Sequence, residues 1–328
     1  MRERTGALDS RGEELARRTG AGRPRRRPSG RERMRTRMSC RERNSVSWSL
    51  CGGRTLGPAP FFVAGIVNVT PDSFYDGGVS AEAGAAVDTA MRLLDQGADI
   101  LDIGGESTRP FAEPVSEADE MARVLPVVRA VAQNRPEAVI SVDTTKAGVA
   151  RTVLEAGAHI INDVSALEAD PALLDVVLQY RPGYVLMHSQ GDPRTMQLEP
   201  KYGDVVDDIR EFFSVRLAHL VRQGLPEENI VLDPGIGFGK RLEHNLEILR
   251  RIDRLAEFGR PVFMGLSNKS LWRDLLGREG RERNAATLAA TVVLYRMGVR
   301  IHRVHEVREA RDALAVAHAL ETRESGTC

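Results

Sequence analysis

FVAGIVNVTPDSFYDGG, residues 62–78, decides the fold. Phe61, Phe62, Val63, Ile66 and Val67 make an apolar, strand-forming run that stops at Asn68, and a turn-rich segment follows with Pro71, Asp72, Ser73, Asp76, Gly77 and Gly78. A buried strand hands over to a loop there. In α/β proteins the loop after the carboxyl end of a parallel strand is where ligands are held, which makes Asn68 a candidate site residue. Taken alone, the same residue reads equally as a strand cap.

The pattern repeats. ADILDIGGESTRP, AVISVDTTKAG, AHIINDVSAL, GYVLMHSQGDPRTMQ, NIVLDPGIGFGK, PVFMGLSNKS and VRIHRVHEV each run from apolar residues into a polar loop. Between and after them, apolar residues at helical spacing predict helices over 81–96, 116–133, 146–155, 171–180, 204–223, 242–257, 282–297 and 307–320. Eight strand–helix pairs in alternation predict a (β/α)8 TIM barrel of the α/β class. A doubly wound sheet, the competing arrangement, uses five or six such units, and no glycine fingerprint precedes the first helix.

A chain of 328 residues holds one such barrel and a tail. Residues 1–54 contain 16 arginines and 6 acidic residues, and the remainder is mildly acidic. The division expected is a disordered Arg-rich extension over 1–58 and the barrel over 59–328. Nucleic acid is not the expected partner, because no aromatic residue interleaves with the charges before Trp48. The extension also reads as an upstream addition to the frame, with Met34 or Met38 as alternative starts. It lacks the apolar segment of a secretory signal, its glutamates argue against a transit peptide, and no run approaches a membrane span. Cys40, Cys51 and Cys328 are not spaced to bind a metal or staple a core, which suits a cytoplasmic protein.

Asn68, Asp102, Asp143, Asn162, His188, Asp233, Lys269, Arg303 and His305 all fall at or just past strand ends, hence at one mouth of the predicted barrel. Burying so many polar groups against one another alone would cost about 1–3 kcal/mol for each one poorly paired. A polar ligand is the simpler account. Strand alternation puts Arg303 and His305 on one face and His302 on the other, predicting an anion subsite suited to phosphate and arguing against a metal held by His302 and His305. Arg109 can close over the same anion from its loop. Asp143, Asn162, Asp233 and Lys269 suit a flat heterocycle with amino and ring N–H groups. The competing reading of Asp143 and Lys269 is a buried salt bridge. His188 reads either as a base or as a positioned core residue. DPGIGFGK lacks Walker spacing and carries Arg241 after the lysine, so its glycines are read as letting backbone turn beside a flat ring.

NVTPDSFYDGG, DIGGESTRP, SVDTTK, IND, LMHSQGDPRTMQ, LDPGIGFGK, SNKS and RVHEV, in this order, resemble the dihydropteroate synthases of folate biosynthesis, the sulfonamide targets. The resemblance runs from Phe61 to the C-terminus. It implies a transferase that condenses 6-hydroxymethyl-7,8-dihydropterin pyrophosphate with p-aminobenzoate, using Mg²⁺, in a homodimer. By the same resemblance Asp143, Asn162, Asp233 and Lys269 take the pterin. Asn68, with a metal role, joins Arg109, Arg303 and His305 at the pyrophosphate. Thr108, Arg109, Pro110 and Ser270 flank the aminobenzoate. Arg303, His305 and Lys269 are the implied catalytic residues. Two positions depart from the family pattern: Asn268 stands where S-R-K-S has arginine, and Glu306 where aspartate is usual. The alternatives are a pterin-binding paralogue without synthase activity, a methyltetrahydrofolate-dependent methyltransferase on the same barrel, and a regulatory pterin-binding module.

Overall fold

Each apolar run of the sequence becomes a strand buried on both faces. Such burial is why these segments carry valine, isoleucine and leucine almost without interruption rather than alternating with polar residues. The structure is a computed structural model that describes residues 45–69, 78–107, 113–191, 200–278 and 280–321. Two strands come first, β1 (Val46–Ser49) and β2 (Thr55–Ala59). The barrel strands follow as β3 (Phe62–Asn68), β4 (Ile100–Gly104), β5 (Ile140–Asp143), β6 (Ile160–Asp163), β7 (Gly183–Met187), β8 (Ile230–Asp233), β9 (Phe263–Gly265) and β10 (Ile301–Val304). Helices α1 (Gly78–Asp95), α2 (Glu117–Asn134), α3 (Ala147–Glu155), α4 (Leu173–Tyr180), α5 (Val205–Gln223), α6 (Leu242–Arg250), α7 (Ser270–Leu276), α8 (Asn284–Arg296) and α9 (Val307–Glu321) lie between and after them.

The eight barrel strands are parallel in the order β8-β7-β6-β5-β4-β3-β10-β9. A parallel bridge between Leu232 and Val262, with Leu232 N–H donating to the Pro261 carbonyl at 3.0 Å, joins β8 to the start of β9 and closes the ring. The (β/α)8 barrel expected from the repeats is therefore the fold. Register sets Asn68 beside Gly104, Gly104 beside Asp143 and Asp143 beside Asn162, so the polar strand ends form one row around the mouth. Helix starts follow local chemistry: Ser116 Oγ accepts from Asp119 N–H, and Asp204 Oδ1 accepts from the N–H groups of Val206 and Asp207.

Three features differ from the reading of the sequence. The stretch 242–257 is α6 followed by a 3₁₀ segment, Ile252–Phe258, and α7 was not anticipated. Residues 46–58, assigned above to the disordered extension, instead form with Ala59 the antiparallel hairpin β1–β2. Val46, Trp48 and Leu50 pack with Phe62, Ala64, Ile100, Ile160, Val231, Phe263 and Ile301 at the end of the barrel opposite the mouth. Trp48 Nε1 donates to the Asn229 carbonyl at 2.7 Å, and Arg54 donates to the carbonyls of Ala138 and Glu137. The barrel is thus plugged from below. Residues 1–44 of the extension, with Cys40, and Cys328 lie outside the described residues. No helix among the described residues is long and apolar enough to cross a membrane.

Candidate active site

Asp102, one pleat below the mouth on β4, is fully buried and collects the interior hydrogen bonds. Ser141 Oγ donates to Oδ1 at 2.6 Å, Asn162 Nδ2 to Oδ2 at 3.2 Å, and Arg303 Nε also to Oδ2. The other arm of Arg303 donates Nη2 to Asp143 Oδ2 at 3.2 Å. One guanidinium from the last strand therefore ties together carboxylates from the second and third barrel strands. Fork geometry suits this, since guanidinium donors are rigid and coplanar.

Above this network Asp143, Asn162, Asp233, Lys269 and Arg303 converge on one open cavity walled by Met187, Ile236 and Phe238. Asn162 lines this cavity, is 3% exposed, and has a buried Oδ1 with no hydrogen-bond partner. Burial raises the Asp143 carboxyl to about 7, with Arg303 pulling it back down. Burial likewise raises Asp233, whose Oδ1 accepts the Gly235 N–H at 2.7 Å. The Lys269 ammonium sits 4.2 Å from the centre of the Phe238 ring, and burial, helped by Arg303, lowers its pKa to about 8. Asp143 thus takes Arg303 as its ion-pair partner, and Lys269 faces an aromatic ring instead of closing the salt bridge considered above.

The loop after β8 is built on a residue that motif reading passed over. Lys240 is 2% exposed and donates Nζ to the carbonyls of Gly235 at 3.0 Å, Phe238 at 2.9 Å and His188 at 3.2 Å. It also lies 2.9 Å from His188 Nδ1. His188, held neutral by burial and then by Lys240, with its pKa down at about 2, is a positioned residue and not a base. Gly235 has φ +66°, and a Cβ there would stand 1.9 Å from the His188 carbonyl oxygen, so only glycine allows the approach. The signal was present in the sequence as a lysine ending a glycine-rich loop.

Asn68 and His305 border a second cavity with Ile66, Thr89, Arg92 and Glu306. Arg303, grouped above with these two as an anion subsite, lines the first cavity with Asp143, Asn162, Asp233 and Lys269 instead. Ser270 opens α7 beside Lys269 and is exposed. Thr108, Arg109 and Pro110 lie outside the described residues. The residues on either side are described: Glu106 Oε1 accepts the Val115 N–H at 3.1 Å, and its other oxygen takes Lys146, which also pairs with the fully buried Glu120. Sequence reading missed this clamp because its members come from three separate elements. No cluster of three or more His, Cys, Asp or Glu poised for a metal occurs among the described residues. Asn68 and Glu306 offer an amide and a carboxylate, oxygen donors that fit a magnesium ion completing its shell with phosphate oxygens and water.

Residues 64–305 match the model of the pterin binding enzyme family. The dihydropteroate synthase of Escherichia coli (strain K12) is 44% identical over 257 residues, which are 78% of this chain and 90% of that protein. Among solved structures, Xanthomonas albilineans dihydropteroate synthase with 4-aminobenzoic acid is 41% identical with a TM-score of 0.79, covering 85% of this chain and 99% of that one. The same bacterium's enzyme in complex with 7,8-dihydropteroate is 39% identical with a TM-score of 0.75, covering 83% and 98%. With its mouth built from the motifs that carry the resemblance, the chain belongs to the pterin-binding enzyme family, among the dihydropteroate synthases.

Proposed function

We propose that this chain catalyses the dihydropteroate synthase reaction, joining 6-hydroxymethyl-7,8-dihydropterin pyrophosphate to p-aminobenzoate with release of pyrophosphate. The carrying observation is that Asn162, whose buried Oδ1 has no partner, lines one cavity with Asp143, Asp233 and Lys269. A pterin edge presents amino and ring N–H donors to Asn162, Asp143 and Asp233, and its carbonyl and ring nitrogen accept from Lys269. Ligand complexes of the Xanthomonas relatives with 4-aminobenzoic acid and with 7,8-dihydropteroate support both the second substrate and the product.

In this reading the methylene C–O bond breaks and its electron pair leaves with the diphosphate. The amine nitrogen of p-aminobenzoate then forms the new C–N bond and releases its proton to solvent. Arg303 holds Asp143 in place and lends positive charge between ring and leaving group. His305 and Asn68 receive the diphosphate, joined by Arg109 from its loop, and Thr108, Pro110 and Ser270 border the aminobenzoate. Mg²⁺ bound by Asn68 and the diphosphate would neutralise charge on the leaving group. Positioning and charge stabilisation supply the rate, with little proton transfer required.

Two further assignments belong to the same proposal. Val293 on α8 and Val316 and Leu320 on α9 are exposed apolar side chains, 56%, 60% and 81% accessible, and support a homodimer through the last helices. The free thiol of Cys51 suits a reducing cytoplasm. The test is an assay of purified chain with both substrates and Mg²⁺, following pyrophosphate release and dihydropteroate formation together. Pterin binding without either product would favour the paralogue lacking synthase activity.

A further inference from the structure

Lys240 is not among the residues that line the cavity, yet the three carbonyls it holds belong to that wall or adjoin it. Phe238 is itself part of the wall, Gly235 precedes Ile236, and His188 follows Met187. Carbonyl oxygens only accept, so Nζ donates in all three contacts. An apolar residue would fill the same buried space without the cost of desolvating an amine, so the donors are what the position requires.

The loop that Lys240 holds folds back on the chain beyond β7 at two points. Besides the approach of Gly235 to His188, Gly239 has φ +63°, and a Cβ there would stand 2.2 Å from the Gln190 carbonyl oxygen. Other backbone groups of the loop are tied from outside the cavity. Phe238 N–H donates to the Gly235 carbonyl at 3.1 Å, Asn245 Oδ1 accepts the Gly237 N–H at 2.9 Å, and Tyr202 Oη donates to the Gly239 carbonyl at 2.9 Å. Among these contacts, those of Lys240 alone join both ends of the turn 235–238 to the residue that follows β7.

We propose that Lys240 is a positioning residue for the cavity: by binding the carbonyls of His188, Gly235 and Phe238 it fixes Met187, Ile236 and Phe238 as the wall that a flat ring meets. Phe238 so placed also faces Lys269, whose Nζ is 4.2 Å from the ring centre, so loosening the cage disturbs the cation at the cavity as well as its apolar side. That the flat ring is a pterin rests on the function proposed above, whereas the link between cage and wall follows from the contacts alone.

The test is Lys240→Met in the full chain, which keeps an unbranched stem and removes the donors, titrated calorimetrically with 6-hydroxymethylpterin below the unfolding transition. Affinity should fall at least about tenfold, and a value within about twofold of the wild type would overturn the proposal. A second measurement uses the unaltered chain. Binding that needs the closed cage must in turn oppose its opening. Acetic anhydride labelling of Lys240, followed by peptide mass spectrometry, should therefore slow at least about fivefold with saturating 6-hydroxymethylpterin. Lys146, which pairs with Glu106 and Glu120, should keep its rate. An unchanged rate at Lys240, or equal slowing at both lysines, would overturn the proposal, and this result decides the matter if the variant fails to fold. A wild type that takes up no pterin would overturn the proposed function as well, whereas a variant that binds like the wild type sinks the positioning alone.

Discussion

Arg303 donates Nε to Asp102, a residue 201 positions earlier in the chain, and this pair joins the last barrel strand to the second through the middle of the molecule. Asp102 is wholly enclosed, so removing its partner strands a charge in the interior. Arg303→Ala should cost about 3 kcal/mol in urea unfolding. It should also lower kcat at least about a hundredfold, since Asp143 loses the partner that holds it at the cavity. Near-normal turnover in that variant would refute the placement of Arg303 in the reaction.

Two shifted groups predict the pH profile. For the free enzyme, kcat/KM for the pterin substrate should fall as pH drops below about 7, where Asp143 takes up its proton, and as pH rises above about 8, where Lys269 loses one. Stability runs the other way for Asp143. Its folded value lies above the ordinary 3.8, so the folded state keeps a proton that the unfolded chain has lost, and stability declines as pH rises from 3.8 to about 7. Steady-state kinetics and urea titrations across pH 4–9 check both signs.

Gly235→Ala should destabilise the protein by roughly 3 kcal/mol and abolish pterin binding, because the new methyl meets the His188 carbonyl and the left-handed turn is lost. Gly259→Ala shares the positive φ with open space around it, and should cost only about 1 kcal/mol with binding intact. Calorimetric titration with a pterin and thermal unfolding separate the two.

Trp48→Ala should cost about 3–5 kcal/mol, the range for large aromatic truncations in a core. Trp48 is 1% exposed and lies at the closed end of the barrel. The KM values of enzyme that remains folded should therefore match the wild type, a separation of stability from function that kinetics below the unfolding transition can verify.

The eight strands were legible because apolar runs ending in Asn68, Asp143, Asn162 and Asp233 repeat with helical segments between them. The convergence of Asp143, Asn162, Asp233 and Lys269 on one cavity was legible for the same reason: strand ends share a rim. What escaped the reading is contact between distant segments. The hairpin carried a period-two signal at Val46, Trp48 and Leu50, but Gly52, Gly53 and the arginine-rich neighbourhood masked it. The fork of Arg303 between Asp102 and Asp143, and the cage of carbonyls around Lys240, depend on side-chain reach across the barrel, and no local period encodes that.

The ring of strands is welded by several ladder pairs at seven of its joints and by the lone Leu232–Val262 bridge at the eighth. Asp233 ends the strand on one side of that seam, and Lys269 follows the strand on the other. A bicyclic molecule gripped by both would act as a rivet. Amide exchange should therefore slow most, on ligand addition, around Leu232 and Val262, where the wall of the barrel is thinnest.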